Sequence, residues 1–487
     1  MSTAVARPRG PIRAVLVAVL AAALAVLALG AARADAHAVL VSSQPEPDAR
    51  LTSSPSEVRM QFSEPVQLLS AGDLDVVDER GTQVSQGEAR QVPGDATSVE
   101  VGLRPDLPEG TYTTRFRIVS ADSHIITGAL VFGVGSAPLG QPYLGGPGGG
   151  GKGPSETSAW AVVARFLEIV GIGGLVGLLT FRWLVWRPAW MRAPEIPADQ
   201  AGAALGWGRD TFWVAFGVLA VGAMLAEAWL LVVKSASALG TSVPGALGDP
   251  GGIARVLGDT RFGGILQLRA ALLFVLFAVG VWQFLAEFGT EDAPRPAEAA
   301  GRLWPGMLML ALAVVALGSI SYQGHASQAP WSRLQIPLDA VHGTCIAIWV
   351  GGLALVGLCL WRLPRVAGGG GRTIATVVLA RFSSVAFVTV GLAVVTGVAR
   401  AVGQLSDPSQ LWDTAYGRSI IIKVVLLSPI GFLALRNRKV LAALRGVRRP
   451  NAATLRMVRR SVGAELLLAV VVIGIAALLV AQVPGRG

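Results

Sequence analysis

From residue 159 onward the chain is a succession of apolar runs, each long enough to cross a lipid bilayer, and this restricts its fold more than any other feature. The runs cover 159–184, 211–233, 263–286, 304–322, 336–360, 380–402, 418–435 and 462–482. A helix rises about 1.5 Å per residue, so roughly 20 apolar residues span the hydrocarbon. Residues 158–487 therefore predict an all-α polytopic membrane bundle of about eight helices. Composition agrees, with 52% hydrophobic against 15% charged residues over 487 positions. The net charge of +10 invites a nucleic-acid reading, but its distribution argues against one. Arginines crowd into alternate loops: Arg187 and Arg192, Arg295 and Arg302, Arg362, Arg365 and Arg372, then Arg436 through Arg460. That is the positive-inside pattern of a membrane protein, with the lipid bilayer as partner and both mature termini outside.

The first 36 residues read as a secretory signal peptide: Arg7, Arg9 and Arg13, then the apolar run 14–29, then Ala34-Asp35-Ala36 as a small-x-small cleavage pattern. Cleavage after Ala36 makes His37 the first residue of the mature chain. Such a histidine offers its α-amino nitrogen and its ring Nδ1 to one metal ion, and both groups hold available lone pairs near neutral pH.

Residues 37–139 carry about twice as many acidic as basic side chains and contain no cysteine. Short runs rich in β-branched and aromatic residues recur at 38–41, 58–62, 74–77, 98–103, 111–119 and 129–134, separated by Pro, Gly and Asp. The pattern predicts an all-β domain, a Greek-key sandwich or barrel of the Ig-like or cupredoxin-like kind. In the clearest strand, Tyr112, Thr114, Phe116 and Ile118 share one face and Thr113, Arg115 and Arg117 the other. Just beyond it, Asp122 and His124 stand two residues apart, which at strand spacing points both the same way. With His37 they supply three nitrogens and an oxygen, a set suited to tetragonal Cu(II), although Zn(II) accepts the same groups. Residues 140–157 (GQPYLGGPGGGGKGPSET) have the composition of a flexible tether.

Ionisable residues inside membrane runs are expensive and so are functional candidates. Arg165 and Glu168 can neutralise each other one turn apart, whereas Glu227, Lys423 and Glu465 lie on separate helices, where structural pairing competes with a transport role. The fifth run, LDAVHGTCIAIWVGG, is the most informative. Asp339, His342, Ile346 and Trp349 fall on one helical face, and Cys345 is three residues from His342. The spacing suggests that Asp339 orients the His342 ring, leaving the other nitrogen for a metal, with Cys345 as a soft ligand for Cu(I). Cys345 and Cys359 are the two cysteines; on one helix they stand about 21 Å apart and cannot bridge. His325 follows the fourth run, so all four histidines fall outside or in the outer half of the membrane.

The segments HAVLVSSQPEPDARLTSSPSEVRMQFSEPV and YTTRFRIVSADSHIITGALVFGV resemble the CopC family of exported copper-binding domains along its whole length. The resemblance implies Cu(II) binding by His37, Asp122 and His124. With Met60 the single methionine of this domain, no methionine-rich Cu(I) site is expected. The membrane half resembles the CopD family through Gly-His-Ala at 324–326, Asp-x-x-His and Trp-x-Gly-Gly at 339–352, Arg-Phe-Ser at 381–383, Thr-Gly at 396–397, and Tyr-Gly-Arg before Lys423. Chains joining the two parts are similar to bacterial copper-import proteins, which implies a place in a bacterial cytoplasmic membrane with the β domain on the outer face, and inward copper movement past His325, Asp339 and His342, without catalysis. Three other readings compete: copper resistance by sequestration or sensing without transport, a histidine-brace copper oxidase, and a haem-binding membrane cytochrome.

Overall fold

A computed structural model describes residues 38–69, 72–120, 125–136, 138–144, 158–193, 195–288, 304–323, 332–405, 407–443 and 452–480. The expected signal peptide and His37, Asp122, His124 and His325 lie outside the described residues.

Among the described residues, nine strands form the N-terminal domain: β1 (Leu40–Gln44), β2 (Arg50–Leu51), β3 (Glu57–Phe62), β4 (Val66–Gln67), β5 (Leu74–Asp78), β6 (Ser85–Val92), β7 (Asp95–Leu103), β8 (Gly110–Ser120) and β9 (Ile125–Val134). They make two sheets, β1-β3-β7-β6 and β2-β9-β8-β4, with β5 also pairing β8. All pairings are antiparallel except the short β2–β9 contact. The expected all-β sandwich is the observed one. Its core follows from side-chain alternation: Val58, Met60 and Phe62 of β3 and Val99 and Val101 of β7 meet Val76, Tyr112, Phe116, Ile118 and Phe132 of the other sheet. Met60 is fully buried in this core and serves packing.

Strand β8 is buried on both faces. Behind the core face, Arg115 donates from Nε to Asp75 Oδ1 at 2.9 Å, and the amides of Gly140 and Tyr143 donate to the hydroxyls of Thr111 and Thr113, each at 2.9 Å. Residues 140–144, read from composition as the start of a tether, thus lie as a strap along β8.

The other described elements are helices: α1 (Ala159–Trp190, passing through a π-helical stretch at Phe181–Trp186), α2 (Ala198–Ala238), α3 (Val243–Leu247), α4 (Pro250–Asp259), α5 (Arg261–Phe288), α6 (Trp304–Gln323), α7 (Ser332–Val366), α8 (Gly368–Gln404), α9 (Gln410–Asp413), α10 (Ala415–Ala443) and α11 (Ala452–Val480). Seven of these, α1, α2, α5, α6, α7, α8 and α10, are long and apolar enough to cross a membrane. The eighth expected run falls on the 29-residue α11. The protein is a multi-pass membrane protein.

By their contacts the described residues form two compact units. One joins the β domain and the first residues of α1, to Ala164, with Ala228–Leu268, which holds the end of α2, the cap helices α3 and α4 and the start of α5; the other contains the remaining parts of the helices. In the second unit glycines let helices meet backbone to backbone. A Cβ added to Gly177 of α1 would stand 2.8 Å from the Cα of Gly351 on α7, the close approach typical of small-residue packing in membranes.

Candidate functional site

Helix α7 carries Asp339, His342 and Cys345 as expected. The His342 ring is held from α8, with Nδ1 2.9 Å from the carbonyl oxygen of Ala393 and 3.3 Å from Thr396 Oγ1. A carbonyl only accepts, so Nδ1 carries the proton and Nε2 keeps its lone pair. The ring has room there because residue 397 is glycine: a Cβ at that position would lie 3.1 Å from Cε1 of His342. The Thr396-Gly397 pair is therefore a cradle for the histidine.

Asp339 does not orient the ring. Its Oδ1 pairs with Arg400 of α8 at 2.5 Å, because a carboxylate in an apolar setting is held more firmly by a guanidinium than by a neutral imidazole. Arg400, Asp339 and Lys423 are the charges that act on His342. Cys345 is buried with a free thiol. Among the described residues, no three His, Cys, Asp or Glu side chains gather into a metal-holding group. His342 and Cys345 thus remain as the described donors of the sequence-derived set, with Asp339 occupied by Arg400.

In the β-containing unit, the strand ends that border residues 121–124 are fixed in place. Val119 at the end of β8, Ile125 at the start of β9 and Leu69 pack in one apolar cluster with Leu230, Val233, Ala236 and Ala238 of α2, Val243 of α3 and Val256 of α4. Arg117 reaches the C-terminus of α2, donating from Nε to the Ala238 carbonyl at 3.2 Å and from Nη2 to the Ser237 carbonyl. Those carbonyls lie in the last turn, where a helix leaves C=O groups unsatisfied and its dipole favours a cation. Burial lowers the Arg117 pKa, with Asp73 partly opposing the shift. Gly240, at φ +66°, turns the chain away just beyond the helix end. Gln67 also donates to the Asp259 carbonyl of α4.

Several motifs of the membrane half are joints between helices. Phe382, from Arg-Phe-Ser, lies so close over Gly352, from Trp-x-Gly-Gly, that an added Cβ there would stand 2.3 Å from the ring. Arg381 donates to the Leu184 carbonyl at 3.0 Å. Glu465 accepts from Asn437 at 2.6 Å, a structural pairing between α11 and α10. Arg165 and Glu168 pair at 2.7 Å, as their spacing predicts. One residue was missed: Arg269, the largest fully buried side chain among the described residues. It is a lone basic residue inside the 263–286 run, and that position was the available signal.

Comparison with known proteins follows this division. The CopC domain model matches residues 40–135, and the model described as Copper resistance protein D matches 376–479. Copper resistance protein C of Escherichia coli is 34% identical over 106 residues, 21% of this chain and 83% of the relative. The chain belongs to the CopC family, with a CopD domain in the same polypeptide. Copper transport protein CutJ of Bacillus subtilis (strain 168) is 26% identical over 418 residues, 83% of this CopC–CopD chain and 69% of the relative. The crystal structure of CopC from Methylosinus trichosporium OB3b covers 20% of this chain and 93% of its own, at 26% identity and a TM-score of 0.18.

Proposed function

We propose that this CopC–CopD protein captures copper outside the cytoplasmic membrane and passes it inward. After removal of residues 1–36, His37 binds Cu(II) through its amine and ring, and Asp122 and His124 complete the site. Residues 140–157 link this domain, 37–139, to a membrane domain of eight spans, and the β domain faces outward. Copper then moves past His325 to His342 and Cys345. The observation that carries this reading is the seating of Val119 and Ile125, on either side of residues 121–124, against α2 and the cap helices. It holds the strand ends that border the proposed Cu(II) ligands in one arrangement against the end of α2, α3 and α4.

The donor chemistry at α7 favours Cu(I). Nε2 of His342 and the Cys345 sulfur are a borderline and a soft ligand. Arg400 and Lys423 act on the same place, so a monovalent ion meets less repulsion there than a divalent one. Handover then consumes one electron per ion, taken from an external one-electron reductant. CutJ is named as a transport protein, and its alignment runs through both halves of this chain, which favours import over sequestration.

The test is copper accounting on the processed protein. Purified chain beginning at His37 should bind one Cu(II) with a nitrogen-rich spin-resonance signal, and His124→Ala should lose it. Vesicles containing the protein should accumulate copper in the lumen; copper that stays on the protein would establish sequestration instead. Oxygen-dependent turnover by the copper-loaded protein would establish an oxidase.

A further inference from the structure

Four membrane helices close on a group of charges that the copper path does not use. Arg165 and Glu168 come from α1, Glu227 from α2 and Arg269 from α5, with 6%, 0%, 3% and 0% of their surfaces exposed. Arg269 is the hub. One of its terminal nitrogens, Nη1, donates to Glu168 Oε1 and to Glu227, whose two oxygens lie at 3.1 and 3.3 Å. Its Nε donates to Ser319 Oγ at 2.8 Å and its Nη2 to Gln323 Oε1 at 2.7 Å, both on α6. Arg165 donates to the other oxygen of Glu168 at 2.7 Å.

The two carboxylates are unequally served. Glu168 receives one N–H from each arginine, whereas both oxygens of Glu227 rely on the one N–H of Arg269 Nη1 that Glu168 does not take. A carboxylate can accept about four hydrogen bonds, so Glu227, which receives one N–H, keeps an oxygen lone pair open to a proton. Among the described residues, the charged groups acting on Glu227 are Glu168, Arg269 and Arg165. Nothing in a copper relay requires these groups, and membrane proteins bury such charges at a cost.

We propose that Glu227 is a proton-binding site whose occupancy controls copper movement. The proton adds to a Glu227 carboxylate oxygen and weakens the bond from the second N–H of Arg269 Nη1, leaving Arg269 bound chiefly to Glu168. The cluster passes from neutral, with two arginines and two carboxylates, to one net positive charge. Arg269 also holds Ser319 and Gln323, so the change reaches the end of α6, two residues before His325 in the chain. A positive cluster repels a copper cation, so proton and copper occupancy oppose each other and acidification slows copper movement. The link to copper rests on the import reading; the proton site does not.

Infrared difference spectroscopy of the purified full-length protein, titrated over pH, reads the site directly, and vesicle uptake measured over the same pH range reads the link. Wild type should show a protonated-carboxyl band that disappears in Glu227→Gln and persists, shifted, in Glu227→Asp. Wild-type uptake should fall severalfold on acidification, while Glu227→Gln stays low and flat across pH. Absence of a carboxyl band that depends on residue 227 overturns the proton site and leaves import standing. A band with uptake that ignores pH overturns the control of copper by Glu227. A band without any copper uptake upholds the proton site and overturns import, and with it the link.

Discussion

Replacing Arg117 by Gln should loosen the β domain from the cap helices while leaving its sheets intact. The guanidinium donates to two carbonyls in the last turn of α2, one of them at 3.2 Å. Hydrogen bonds from a charged donor contribute about 1.5–3 kcal/mol each. This side chain is only half-buried, so solvent competition and the desolvation of arginine reduce the pair to about 2 kcal/mol. Its charge at the helix C-terminus adds about 0.5 kcal/mol. A loss of about 2–3 kcal/mol raises the undocked population by roughly 30- to 150-fold. The apolar contacts of Leu69, Val119 and Ile125 remain, so docking should weaken without vanishing. Spin labels at the exposed positions Glu88 and Ala254 read the separation of the β domain and the cap. A narrow distance distribution in wild type should broaden in Arg117→Gln, while bound Cu(II) per chain stays unchanged and uptake falls. Equally narrow distributions in the two proteins would show that Arg117 contributes nothing to the seat.

Gly397→Ala puts a Cβ 3.1 Å from Cε1 and 3.4 Å from Nδ1 of His342. The ring must shift by a few tenths of an ångström against its bond to Ala393, and vesicle uptake should fall severalfold with the protein still folded. Gly351→Leu cannot be accommodated, because even a Cβ there would stand 2.8 Å from the Cα of Gly177; it should destabilise the α1–α7 crossing by about 3 kcal/mol or more, seen as loss of folded protein in detergent. In the β domain, hydrogen bonds from Ser98 and Thr97 bring the Asp95 pKa from 3.8 to about 2. A depressed folded-state pKa contributes stability that is complete above the ordinary value and disappears as pH falls through the lower one. Asp95→Asn should therefore remove the pH dependence of β-domain stability between pH about 4 and about 2 that Asp95 supplies, as followed by hydrogen exchange in the full-length protein.

The strands with alternating apolar residues were legible because β3 and β8 each present a face to the core, and Val58, Met60, Phe62, Phe116 and Ile118 all lie there. Strand β6, SQGEARQV, escaped notice: it is an edge strand with mostly exposed side chains, so no hydrophobic period marks it. The strap at 140–144 was hidden because its bonds are made by backbone amides, which composition does not report. On α7 the helical period placed Asp339 and His342 on one face, but partners on other helices decide between contacts that spacing leaves equal. Arg400 takes Asp339, and Ala393 and Thr396 take His342. Arg269 was visible as a charge in an apolar run, yet its four-helix network depends on tertiary packing that no local pattern encodes.

Copper import through α7 is tested most directly by the cytoplasmic copper content of cells expressing wild type or His342→Ala at equal membrane abundance. Wild type should raise cytoplasmic copper, and His342→Ala should return it to the level of cells without the protein while the exported domain still binds Cu(II). Equal cytoplasmic copper in the two strains would contradict passage at His342.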